Sequence, residues 1–284
     1  MSNPSEDVTV ELLRTWGLPA PGDSKKSRGR VMVVGGSTRS PGGVMLAGEA
    51  ALRVGAGRLG LVVPLPIQPG VALALPEAAV FALPDRAADP LERSLAEELG
   101  SADAVLIGPG FDDAAETRAT ILSIAAAGIA CLVLDAFALG VLPDVPRDRL
   151  PTHLILNPNE DEAAILLGRD LADDRPAEIA EIARRYGAVV NCYGTIAEPG
   201  GTVWTVTGGG PGLGTSGSGD VLAGAISGFA GRGLDTARAA VWGSWTHAHA
   251  GDRLEARMGL GFLARELARE LPVALADVAG TMSS

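Results

Sequence analysis

Thirteen residues from Gly208 to Asp220 include seven glycines, and they lead into Val221, Leu222, Ala225, Ile226 and Phe229, apolar residues at helical spacing. A glycine-rich loop lets a ligand come into contact with the backbone. The first turn of a helix beginning near Ser218 leaves its N–H groups without partners and carries the positive end of the helix dipole. Together these make an anion site. Asp220 falls in that first turn, where a carboxylate is stabilised and can take a proton from a nearby hydroxyl. Bare amides for a phosphate beside a base for a hydroxyl are the two halves of phosphoryl transfer. The plainer alternative, that Ser218 or Asp220 only caps a helix, leaves the glycine density without a reason. Gly212–Gly217 also fits the dinucleotide fingerprint by letter, but that fingerprint needs a strand ending in an acid soon after the helix, and another helix follows. No Gly-Lys-Ser/Thr ending is present, so a P-loop is excluded.

Other candidates are scattered along the chain. Asn159 and Glu162, three apart at the start of a helix, can aim an amide and a carboxylate at one hydrated cation, or can be a helix cap with its capping-box acid. Asp135 closes a strand. His153 stands before another strand and supports no catalytic role, and His247 and His249 have no His or Cys partner at zinc spacing. Lys25, Lys26, Arg28 and Arg30 form the densest basic cluster, either a solvated face or a local field that draws in an anion. Gly55–Gly60 fits GxGxxG but follows a helix and precedes a strand, the reverse of a dinucleotide site.

The elements that must position these residues alternate. Strands are expected at 31–34, 59–63, 78–83, 104–107, 131–135, 154–156 and 188–192, and several run directly into glycine or polar residues. Helices are expected at 44–54, 91–99, 114–127, 162–167, 176–186, from 218, at 236–254 and at 261–271. A hairpin around Pro199–Gly201 feeds the glycine loop. Alternating βα units predict an α/β fold with a doubly wound, mostly parallel sheet and helices on both faces, with ligands bound outside the carboxyl ends of the strands.

The 284 residues are 47% apolar with no uncharged apolar run long enough to span a membrane. No Ser/Gly/Pro-rich linker divides them, so the expectation is an N-terminal extension, 1–28, followed by a single domain, 29–284. A net charge of −11 opposes sequence-independent nucleic-acid binding. Cys131 and Cys192 lie in β-like runs without pairing spacing, which predicts a reducing compartment. The polar, acidic start, Met1–Asp7, lacks a signal-peptide core, which predicts the cytoplasm.

Six segments taken together, Gly29–Ser37, Pro41–Gly43, Arg53–Gly57, Ile107–Gly110, Gly217–Gly224 and His247–Asp252, resemble the stand-alone NAD(P)H-hydrate dehydratases of the ribokinase-like superfamily. The resemblance covers about Gly29 to Pro272. It implies that ADP or ATP, with Mg2+, phosphorylates the ring hydroxyl of the S epimer of NAD(P)H hydrate, after which phosphate leaves and NAD(P)H is restored. It assigns Asp220 as the base, which also meets the substrate, with Gly217, Ser218 and Gly219 around the moving phosphoryl group. Cys192, Tyr193, Gly194, Thr195 and Ile196 fall on the family's nucleotide segment, and Gly43, Gly110 and Asn159 on substrate contacts. It further implies a homo-oligomer, a tetramer in relatives, and functional pairing with a separate NAD(P)H-hydrate epimerase.

This chain departs from the family pattern at three places: Asn157-Pro158-Asn159 stands for Thr-Pro-His, Asp135-Ala136-Phe137 for Asp-Ala-Asp, and Cys192-Tyr193 for Lys-Gly. Asn159 with Glu162 instead resembles the Asn-x-x-Glu motif of sugar and vitamin kinases, which supports magnesium through water. Two alternatives stay open at this point, a kinase for a small hydroxylated metabolite and a nucleotide-binding protein without turnover.

Overall fold

The computed structural model describes residues 5–20 and 22–280; residues 1–4 and 281–284, at the outer ends of the two segments expected from the sequence, lie outside them. The first half of the chain forms β1 (Glu6–Asp7), α1 (Val10–Trp16), β2 (Arg30–Val34), α2 (Gly42–Arg53), β3 (Arg58–Pro64), α3 (Gln68–Ala74), β4 (Ala78–Leu83), α4 (Arg93–Gly100), β5 (Ala104–Ile107) and α5 (Ala114–Ala125). The second half adds β6 (Cys131–Asp135), α6 (Phe137–Val141), β7 (His153–Asn157), α7 (Glu160–Leu167), α8 (Arg175–Tyr186), β8 (Val189–Cys192), β9 (Thr195–Ala197), β10 (Val203–Thr205), α9 (Ser218–Gly231), α10 (Thr236–Met258) and α11 (Ala264–Ala279).

The strands form one sheet in the order β1-β10-β9-β8-β7-β6-β5-β2-β3-β4. β2 to β8 pair in parallel; among the described residues only the β8–β9 and β9–β10 pairs are antiparallel. The expected hairpin therefore extends the parallel sheet. Central strands bury both faces, as continuous apolar runs require. Val31 and Val33 of β2 join the core under α1, α2, α9, α10 and α11, and Met32 and Val34 join the core under α4 to α8.

The two helices that carry the glycine-rich segments are packed closely. A side chain at Gly224 of α9 would meet the carbonyl oxygen of Ala47 in α2 at 2.1 Å, so only glycine permits this approach. The N-termini of both helices consequently arrive together at the carboxyl ends of the strands.

The differences from the expected elements have physical causes. β1 is a two-residue edge strand, parallel to β10, too short to show a period. α3 begins Gln68-Pro69-Gly70, which reads as a turn but places proline in the first helical turn, where no N–H is missed. α11 continues through Pro272 to Ala279, since its face, with Leu271, Ala274 and Val278, is buried against the core. The residues before 29 are tied into the fold through β1 and the buried Leu13 of α1. The basic cluster at 25–30 leads into the amino end of β2, the edge of the sheet away from the strand carboxyl ends.

Candidate functional site

A cavity of about 570 Å³ opens at the carboxyl ends of β6, β7 and β8, between the glycine loop, the N-terminus of α9 and one face of α10. Asp135, Tyr193, Gly194, Ser218, Gly219 and Asp220 all line it.

α9 starts after Gly217, whose φ of 89° is left-handed, and no side chain caps it. The Ser218 amide donates to Thr215 O (3.2 Å), a bond the sequence does not reveal. The N–H groups of Gly217, Gly219 and Asp220 have no hydrogen-bond acceptor among the described residues. This ring of amides faces a cavity that can hold an anion. The loop leading to it is held from α10: Asp252 Oδ1 accepts from the amides of Gly209 (2.9 Å) and Gly210 (3.0 Å), and Glu255 Oε2 accepts from Gly212 (3.0 Å). Seven glycines alone would cost much backbone entropy to order; the two carboxylates fix their shape. The His247–Asp252 segment thus has a structural reason, invisible until α10 is packed.

Burial raises the Asp220 carboxyl from 3.8 to about 6. Its neighbour is Gly43 in the first turn of α2, where a Cβ would lie 3.1 Å from Oδ1 and 3.3 Å from Cγ. The absence of a side chain there leaves a slot beside the carboxylate. An acid with this value is mostly ionised at neutral pH and still basic enough to accept a proton.

Ser218 and His247 form a buried pair that looks like a nucleophile and its base. His247 Nε2 lies 3.0 Å from both Ser218 Oγ and Ser218 O. A carbonyl oxygen only accepts, so Nε2 carries the hydrogen, and burial lowers the ring to about 4 and keeps it neutral. The imidazole therefore cannot take the serine proton. It donates to Ser218, whose hydroxyl hydrogen is left free to turn toward a ligand. His249 instead bonds Asp277 (3.0 Å) and stacks on Trp245.

The remaining candidates divide. Gly43 touches Asp220, and Gly110, at φ 76°, packs against Ser40 O and Gly36, on the β2 and β5 side of the sheet. Tyr193, 69% exposed, and Gly194 form part of the cavity rim, with Tyr193 held at φ 47°. Cys192, Thr195 and Ile196 are buried in the β8–β9 pair and do not line the cavity. Burial raises the Cys192 thiol to about 11. The Arg175 guanidinium lies 3.9 Å from its sulfur and is ion-paired with Glu160, so a cation stands next to the position where the family pattern has lysine. Asn159 and Glu162 line the cavity and make a reciprocal capping box: Asn159 Oδ1 accepts from the Glu162 amide (2.8 Å) and Glu162 Oε2 from the Asn159 amide (2.9 Å). Among the described residues, no three His, Cys, Asp or Glu side chains are grouped to hold an ion directly.

One arrangement was not legible in the sequence. Ser244 Oγ donates to Asn191 Oδ1 (2.8 Å), Asn191 Nδ2 to Asn157 Oδ1 (2.6 Å) and Asn157 Nδ2 to Asp135 Oδ1 (2.8 Å). This buried row crosses from α10 over β8 and β7 to β6. Only the parallel register, with Asp135 opposite Asn157, could have indicated it.

The family model described as NAD(P)H-hydrate dehydratase matches residues 31–273. The chain belongs to the NAD(P)H-hydrate dehydratase family. It is 46% identical over 277 residues to an ADP-dependent (S)-NAD(P)H-hydrate dehydratase of Xanthomonas campestris pv. campestris, covering 93% of this chain and 94% of the relative. The fold superposes on the ADP/ATP-dependent NAD(P)H-hydrate dehydratase of Bacillus subtilis co-crystallised with ATP/Mg2+, with a TM-score of 0.84, 25% identity and coverage of 96% and 99% of the two chains. A bifunctional NAD(P)H-hydrate repair enzyme of Moorella thermoacetica is 36% identical over 88% of this chain, which spans 50% of that relative's length. The family's fold is thus the doubly wound sheet described above. Asp220 and the glycine loop line the cavity, and Cys192, at the position expected from the sequence to correspond to lysine, is a buried thiol. Among the described residues, no helix is long and apolar enough to cross a membrane.

Proposed function

We infer that the protein dehydrates the S epimer of NAD(P)H hydrate to NAD(P)H, using ADP or ATP to phosphorylate the ring hydroxyl. The observation that carries this is Asp220, a carboxylate raised to about 6, beside the unpartnered amides of Gly217 and Gly219 in one cavity. The close relative named for the same reaction supports it.

The mechanism follows from the geometry. The nucleotide's terminal phosphoryl group sits on the open amides and the Ser218 hydroxyl, which His247 leaves as a donor. These donors are fixed before reaction and balance the charge on the moving group. The ring hydroxyl enters the slot that Gly43 leaves open, and Asp220 takes its proton as oxygen attacks phosphorus. Hydroxide is a poor leaving group, whereas phosphate departs as the ring nitrogen lone pair pushes. Tyr193 on the rim offers an aromatic face to the nucleotide base, and Gly110 contacts the remote part of the dinucleotide.

Magnesium fits this site as a hydrated ion. Glu162 uses one oxygen in the capping box and keeps the other to accept from the ion's water shell, and Asn159 Oδ1 keeps a second lone pair for the same use. When bound, the ion supplies positive charge to the nucleotide phosphates. The protein acts as a single domain, into which β1 and α1 tie the segment before residue 29, in the cytoplasm, as a homo-oligomer, and in functional pairing with an epimerase that supplies the S form.

The test is to incubate the protein with the hydrate and either nucleotide while following dihydronicotinamide absorbance and nucleotide consumption. The expected result is one nucleotide consumed per NAD(P)H restored, with none restored without nucleotide. Formation of a stable phosphate ester would refute the dehydratase reading.

A further inference from the structure

The proposed reaction needs more proton handling than Asp220 supplies. Asp220 takes the hydroxyl proton in the first half. In the second half a phosphate ester must lose its carbon–oxygen bond, and an unprotonated ester would expel the strongly basic phosphate trianion. A proton must also leave the neighbouring ring carbon before the double bond is restored. Nothing in the phosphoryl-transfer half provides for these two steps.

A second carboxyl group lines the same cavity, at the end of β6. Asp135 is 5% exposed and receives at Oδ1 the buried row from Ser244 through Asn191 and Asn157. Both asparagine amides are used along that row, so the row holds Oδ1 as an acceptor and leaves any proton on Oδ2. Ala136, next to it, has φ 51°, a strained conformation for a residue with a side chain. A buried polar row of this kind fixes the position of its last member.

We propose, resting on the dehydratase reading, that Asp135 is the acid–base residue of the elimination half-reaction. It gives its proton to the departing phosphate oxygen as the carbon–oxygen bond breaks. That bond's electron pair goes to phosphate, and the nitrogen lone pair forms C=N⁺. The Asp135 carboxylate then takes the proton from the adjacent ring carbon. The C–H pair forms the ring double bond, the C=N⁺ pair returns to nitrogen, and Asp135 is protonated again for the next cycle. The hydroxyl proton on Asp220 passes to solvent. The balance closes with no further reactant.

The surroundings agree. Burial first, and then the charges of Asp220 on α9 and Glu162 on α7, hold the Asp135 carboxyl well above the usual carboxylate range, against the pull of the Asn157 and Ala136 hydrogen bonds. Asp135 is thus the carboxyl biased toward keeping its proton, which suits it to the acid role and Asp220 to the base, and their different environments divide the two roles. When Asp220 takes up the hydroxyl proton its charge is lost, and Asp135 becomes readier to give up its own.

The test separates the halves of the reaction. Asp135→Asn, checked for folding by its thermal shift with ADP, is mixed rapidly with the hydrate and nucleotide. The expected result is a burst of about one nucleotide consumed per site, an accumulating phosphorylated hydrate, and NAD(P)H recovery slowed ~100-fold or more. Asp135→Glu, which keeps an ionisable group, is expected to regain part of that recovery. Wild-type recovery in Asp135→Asn, or loss of the burst together with recovery in both variants, overturns the role. A wild-type protein that consumes nucleotide but restores no NAD(P)H removes the dehydratase reading and this role with it. Loss confined to the second half in the variants cannot arise that way.

Discussion

Replacing Asp220 by asparagine is expected to make the protein inactive and more stable. The rise of the carboxyl from 3.8 to about 6 on folding corresponds to about 3 kcal/mol between its charged and neutral forms. Because the folded value lies above the unfolded one, the folded state holds the proton more tightly. The cost of ionising in the fold is absent below about pH 4, grows as pH rises to about 6, and is full above that. Asparagine removes the cost but must itself be desolvated, and Asp220 is only half-buried, so a gain of ~1–3 kcal/mol at pH 7 is expected. For a chain of this size that is roughly 2–6 °C in Tm. Urea unfolding of both proteins at pH 7 and pH 4 provides the assay: the advantage of Asp220→Asn should be present at pH 7 and vanish at pH 4. Turnover should fall ~10²–10⁴-fold with nucleotide affinity within a few-fold. An advantage that is absent at pH 7, or unchanged at pH 4, would refute the desolvation argument.

Gly43→Ala places a Cβ against the Asp220 carboxylate and is expected to lower kcat/KM ~10–100-fold with little change in Tm, measured by steady-state kinetics and thermal unfolding. Asp252→Ala removes the acceptor for two loop amides. It should raise the nucleotide KM ~10-fold and cost ~1–2 kcal/mol on urea unfolding. His247→Leu frees the Ser218 hydroxyl and should reduce kcat ~10-fold. In the wild type, the acid limb of kcat/KM should fall below about pH 6, following Asp220, with no histidine inflection above about 4.

The sheet was legible because β2, β3 and β5 to β8 are apolar runs, and the glycine or polar endings of β2 and β5 to β7 also pointed to the right edge of the sheet. Asp220 and its loop were legible for a local reason: glycine density, helix start and acid all fall within thirteen residues. What stayed hidden depends on contacts between distant segments. Asp252 and His247 gain their roles only when α10 lies against the glycine loop. The row from Ser244 to Asp135 exists only in the register of three strands. Cys192, Thr195 and Ile196 illustrate the converse, since a sequence motif marks a segment while only Tyr193 and Gly194 of it reach the cavity.

The most direct test of the account follows the hydroxyl oxygen itself. Hydrate carrying heavy oxygen in the ring hydroxyl is converted by the wild-type protein with ADP, and the products are analysed by mass spectrometry. If Asp220 activates that hydroxyl for phosphorylation, the label appears in the released phosphate. Label found in water, with unlabelled phosphate, would contradict it.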